Sequence, residues 1–169
     1  MRKLFITAFL LAAFCLIPGN VFMAADRGDD DNSVASKVEK AFNELNFTLD
    51  ITMIIPSQFP SEPTGGEYRL TMADGKVDTW LPFRGSSHMP MFGGDVISIV
   101  FENEAVEVKK DLSRKDKGEY LLSFRGGSGV QKWDVSITLY DNGNASIDCN
   151  GSGGGNMRFL AELSMDTKE

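Results

Sequence analysis

Glu67-Tyr-Arg-Leu-Thr-Met-Ala-Asp-Gly-Lys-Val-Asp-Thr-Trp-Leu-Pro-Phe-Arg-Gly85, followed by a Met- and Gly-rich loop and Asp95-Val-Ile-Ser-Ile-Val-Phe101, is the stretch that decides the fold. Tyr68, Leu70 and Met72 alternate with Arg69 and Thr71, the period of a strand with one buried face. Asp74-Gly75 is a hairpin signal, because both residue types accept the positive φ of a tight turn. Val77, Thr79, Leu81 and Phe83 carry the alternation along the return strand. Pro82 has no N–H to donate, so the end of that strand belongs at an edge, a bulge or a rim.

The same period runs outward in both directions. Phe47, Leu49, Ile51 and Met53 form one face of a preceding strand, and Pro56 to Gly66 is a loop rich in proline and glycine. Downstream, Asp95 to Phe101 is nearly continuous apolar, and Ala105 to Val108 is expected to pair with Tyr120 to Phe124 across the polar turn Asp111 to Gly118. After the turn Arg125-Gly-Gly-Ser-Gly129, Trp133, Val135, Ile137 and Leu139 alternate with polar residues. Asp141-Asn-Gly143 then leads into Ala145 to Cys149, and a Gly-rich turn into a last strand with Met157, Phe159, Ala161 and Leu163 inward. About eight antiparallel strands, each burying one face, must close on themselves or be covered. The expected fold is mainly β: a lipocalin-like up-and-down barrel, or a strongly bent sheet wrapped around a helix. An eight-stranded barrel is filled by side chains or holds one small ligand.

That helix is N-terminal. Val34, Val38, Ala41, Phe42 and Leu45 recur at steps of three and four while Lys37, Glu39, Lys40 and Glu44 face away, and Asn32 or Ser33 can cap its start. Residues 1–25 read as a signal peptide: Arg2-Lys3 precede an apolar run from Leu4 to Ile17, with small residues at Ala24 and Ala25 where cleavage is expected. The run is too short for a comfortable membrane span, so the mature chain is expected to have no integral span. Cys15 follows the bulky Phe14, which argues against lipid anchoring there. Asp26 to Asn32 is a disordered acidic leader without the ligand pattern of a calcium loop. One β-rich domain occupies 33–165 and a tail 166–169.

Loss of the signal removes two of 17 basic residues and none of 24 acidic ones, taking the net charge from −7 to about −9. Such a chain is poorly suited to nucleic acid or anionic lipid. Export leaves Cys149 alone, a buried thiol without a disulfide partner.

The segments Tyr68-Arg-Leu-Thr, Asp74 to Gly85, Gly93-Gly94-Asp95 and Asp134-Val-Ser-Ile-Thr-Leu-Tyr-Asp-Asn-Gly-Asn-Ala-Ser146 resemble, in order, the exported proteins of Bacteroides-type bacteria catalogued as domain of unknown function 4251. The resemblance runs from about Ala41 to Leu163. It implies a small β-rich, lipocalin-like domain of the cell envelope, periplasmic or at the surface, and supplies no catalytic residue. Arg84 stands where an aromatic commonly follows Leu-Pro-Phe in that group.

The catalytic inventory is thin. His88 is the one histidine and no cysteine pair has metal-ligand spacing, so neither a metal site nor a cofactor is expected. Ser86-Ser87-His88 lacks a nucleophile elbow, and the Gly-rich turns lack the Lys-Ser/Thr of a phosphate loop. Glu102, Glu104 and Glu107, or Asp74 and Asp78, are the acids whose pairing across a cleft would matter, and only a fold can decide that. The candidate ligand site is Trp80, Phe83, His88, Met89, Met91 and Phe92: large apolar residues beside a loop, which either cap the barrel end as core or line its mouth. The chain is therefore expected to be a non-catalytic binding module for a small apolar or amphipathic ligand or peptide. The alternative is a structural or protein-interaction domain of the envelope with a filled core.

Overall fold

The computed structural model describes residues 33–84, 98–128 and 131–164. The expected signal and leader (1–32) and tail (166–169) lie outside these residues. So do His88, Met89, Met91 and Phe92. Among the described residues a helix, α1 (Val34–Glu44), is followed by β1 (Phe47–Pro56), β2 (Glu62–Pro63), β3 (Arg69–Ala73), β4 (Lys76–Pro82), β5 (Ser98–Ala105), β6 (Lys109–Asp111), β7 (Glu119–Gly126), β8 (Trp133–Tyr140), β9 (Asn144–Gly151) and β10 (Asn156–Leu163).

The sheet runs β5-β4-β3-β1-β10-β9-β8-β7-β6, antiparallel throughout, with β2 paired to the far end of β1. Apart from the β2 side branch, sequence neighbours pair, and the first long strand pairs with the last. The meander would form a complete ring but for one gap, between β5 and β6. Flat, nine strands would put these edges roughly 38 Å apart. The four-residue step from Ala105 to Lys109 reaches at most about 14 Å, so the sheet must curl. The result is a curled half-barrel.

The curl is stitched where β5 meets the end of β7. Ser128 N–H donates to the Val100 carbonyl at 2.7 Å, and Glu102 N–H donates to Ser128 Oγ at 3.0 Å. Glu104 accepts the Gly127 N–H at 3.0 Å, while Phe101 and Phe124 meet edge to face at 5.7 Å. Because β6 covers only Leu121 to Ser123 of β7, the Gly126–Ser128 segment beyond it is free to bond β5. The turn read in the sequence as a simple hairpin connection is thus part of the seam.

Inside the curl lie Leu49, Ile51, Leu70, Met72, Val77, Leu81, Ile99, Phe101, Leu122, Ile137, Ile147, Met157 and Phe159, all buried. Strand alternation supplies them as expected. Helix α1 packs on β8 and buries Val38, Ala41 and Phe42. Phe42 lies 5.2 Å from Tyr120, and Lys110 sits over its ring while its Nζ donates to the Asn43 carbonyl near the helix C-terminus. Ser33 is the cap, its Oγ accepting the Ser36 N–H.

Three local expectations are corrected. Val34 is exposed, so the buried stripe of α1 starts at Val38; Leu45, just past the helix end in a left-handed conformation, still packs against the core. A bulge between Ile51 and Met53 shifts the phase of β1, burying Ile54 and Pro56 rather than Met53. The expected hairpin of Ala105–Val108 with Tyr120–Phe124 gives way to Lys109–Asp111 with Leu121–Ser123, because Ala105 still belongs to β5, opposite Lys76, and Val106 to Val108 crosses the gap.

Candidate functional site

The β3–β4 hairpin places its side chains by parity. Asp74 and Gly75 both have positive φ, 52° and 71°, fixing Ala73 opposite Lys76 and Leu70 opposite Thr79. Val77, Thr79 and Leu81 therefore point inward and Trp80 outward. Thr79 Oγ1 donates to the Arg69 carbonyl at 2.6 Å, a polar group buried with its partner.

Outward, Trp80 is 54 % exposed although it is among the largest apolar side chains in the protein. Its ring stacks on Tyr68 at 5.8 Å with an interplanar angle of 28°. The pair borders an open groove of about 650 Å³ on the outer face of β3, β4 and β5, walled further by Glu67, Arg69, Asp78, Val100 and Glu102. Three carboxylates face one guanidinium, and Arg69 Nε is held 2.6 Å from Asp50 Oδ1. Asp78 also has a structural duty: its Oδ1 accepts the N–H of Asn103, the positive-φ residue of a bulge in β5.

Phe83 goes elsewhere. It is buried, 5.4 Å from the Trp133 ring, and so close to Gly155 that a Cβ there would lie 2.4 Å from Phe83 Cζ. It closes one end of the core, the packing role weighed for it in the sequence. Of the candidate site, then, Trp80 faces solvent and Phe83 faces the interior, and the other four residues lie outside the described segments. Glu67, Tyr68, Asp78 and Glu102 were not singled out as binding residues. Parity already placed Trp80 opposite Thr79 and Leu81, which is the signal that would have turned attention to the outer face.

The acids do not gather into a metal site: among the described residues no three His, Cys, Asp or Glu side chains lie close enough to hold an ion. Glu104 serves the seam, Asp74 the turn, and Glu107 is exposed. Burial pushes the Cys149 thiol well above its ordinary pKa, so it stays protonated. Among the described residues no helix is long and apolar enough to cross a membrane. What the groove offers is a half-exposed tryptophan in a lining of three carboxylates and one guanidinium.

The fold is a curled antiparallel half-barrel with an N-terminal helix. The model of the domain of unknown function DUF4251 matches residues 30–160, and the chain belongs to that family. The fold is similar to the crystal structure of a DUF4251 family protein from Bacteroides eggerthii, with a TM-score of 0.57 and 15 % identity over 77 % of this chain and 86 % of that one. Among curated proteins, none matches.

Proposed function

We propose that the protein is a non-catalytic binding module of the cell envelope that recognises a peptide or small amphipathic ligand on its outer surface. The observation that carries this reading is Trp80, left 54 % exposed on a strand and braced by Tyr68 over an open groove. Covering a large aromatic stabilises a complex by about 1.5–3 kcal/mol, which is why such residues dominate recognition surfaces. The interior is a poorer host, since the inward positions are occupied by packed Leu, Ile, Met and Phe. Export is supported by Arg2-Lys3, the apolar run to Ile17 and Ala24-Ala25, which together make the site periplasmic or extracellular.

Calorimetric titration of the purified protein with pools of short peptides and of short-chain amphiphiles tests the reading. Heat of binding is expected for wild type and its loss for Trp80→Ala; equal heat from the variant, or none from any pool, overturns it. Fractionation of the host with N-terminal sequencing should find a mature chain beginning near Ala25 or Asp26 outside the cytoplasm. Retention of Met1 in a cytoplasmic protein would remove the envelope part of the proposal.

The second reading, a structural or interaction domain that binds another envelope protein, is favoured by the apolar side chains packed at the inward positions of the described strands. In that case crosslinking through the Trp80 face should capture a protein while small probes give no heat.

A further inference from the structure

We propose that the Tyr68–Trp80 groove takes a Lys or Arg side chain of an extended basic peptide, with its cation over the Trp80 ring and within reach of Glu67, Asp78 and Glu102. This rests on the surface-recognition reading above and adds the chemistry of the partner. Trp is the strongest cation–π acceptor among side chains, and Trp80 is half exposed here with its ring stacked on Tyr68. The groove lining carries Glu67, Asp78 and Glu102 against Arg69, and Arg69 is tied to Asp50, so the local charge is negative. The whole chain has the same sign, at −7.

Charge decides between ligand classes. An apolar occupant would strip water from three carboxylates and return nothing to them, whereas an ammonium or guanidinium replaces that water with charge-assisted hydrogen bonds. An acidic occupant would be repelled by the lining and by the protein's overall field. A groove of about 650 Å³ spanning three strands is larger than one side chain needs, which leaves room for the flanking residues of a peptide along Thr71 and Val100.

The test is titration of the purified protein with three nine-residue peptides identical except for their central residues, which are Lys/Arg, Gln or Glu. The basic peptide should bind, weaken as ionic strength is raised, and lose about fivefold to thirtyfold in affinity with Trp80→Ala. A Glu67→Gln/Glu102→Gln double variant, which keeps the side-chain shapes, should lose affinity for the basic peptide and little for the neutral one. Equal binding of the Lys/Arg and Gln peptides, still abolished by Trp80→Ala, overturns the charge assignment and leaves the binding reading standing. Binding of lysine amide as tight as that of the basic peptide overturns the peptide assignment. Failure of all three peptides overturns this proposal, while the amphiphile pools of the preceding experiment decide whether the groove binds at all.

Discussion

The carboxylate of Glu104, on β5, accepts the backbone N–H of Gly127 at 3.0 Å, across the gap between the β5 and β6 edges of the described sheet. Lys132 reinforces the contact, its Nζ bonding the Gly127 carbonyl at 2.6 Å and lying 3.9 Å from Glu104. Glu104→Ala leaves a half-buried N–H without its acceptor, and a loss of about 1–2 kcal/mol is expected in urea unfolding. Glu104→Gln, which keeps an acceptor oxygen, should lose less. Equal stability of all three proteins would show that the seam is held by Ser128 and the aromatic pair alone.

Gly126 and Gly155 are both pressed by neighbours. A Cβ at Gly126 would stand 2.8 Å from Glu104 Oε1, and one at Gly155 would stand 2.4 Å from Phe83 Cζ at a φ of +97°. Gly155→Ala is expected to destabilise by about 1–3 kcal/mol through overpacking and backbone strain. In a Phe83→Leu background part of that penalty should vanish, because the clashing ring atom is gone. Additive effects in the double-mutant cycle would contradict the contact.

The two tryptophans should behave as opposites. Trp133 is fully buried and Trp80 is not. Trp133→Ala is expected to lose about 3–5 kcal/mol, and Trp80→Ala only about 0.5–1.5 kcal/mol, the order of its stack on Tyr68. Acrylamide quenching of the wild type should resolve one accessible and one protected indole.

Cys149 gives a pH dependence whose sign is fixed by burial. Its folded-state pKa is raised, so its stabilising contribution is fully present below the thiol's unfolded value of about 8.5. Above that pH the unfolded chain loses a proton that the folded chain keeps, and stability falls by up to about 1.4 kcal/mol per pH unit. Denaturation between pH 8 and pH 10, two values set about the unfolded thiol pKa, should show this slope in wild type and a shallower one in Cys149→Ala, where the raised pKa values of Tyr120 and Lys115 remain. An aromatic disulfide reagent should reach Cys149 only on unfolding.

Most of the sheet was legible because its buried faces obey a strict two-residue alternation, clearest at Trp133 to Leu139 and Met157 to Leu163. The β1 bulge was not, since Met53-Ile54-Ile55 are all apolar and a phase slip among them leaves no polar mark. The end of β5 was hidden for a related reason: Ala105-Val-Glu-Val108 keeps alternating while the chain leaves one edge for the other. At the site, the outward direction of Trp80 was readable from its neighbours. Glu102 faces outward by the same alternation as Val100, but its place beside Trp80 comes from the β4–β5 register, and the approach of Glu104 to Gly127 comes from the curl; both are relations between separate segments that local pattern does not encode.

The proposed recognition surface is the outer Tyr68–Trp80 face and not the inside of the half-barrel. A two-dimensional 15N–1H NMR titration with the basic peptide reads both tryptophan indoles at once, with Trp80→Phe assigning them. The Trp80 indole resonance is expected to shift to saturation while that of Trp133 stays in place. A shift confined to Trp133 and the core, with Trp80 unmoved, would contradict it.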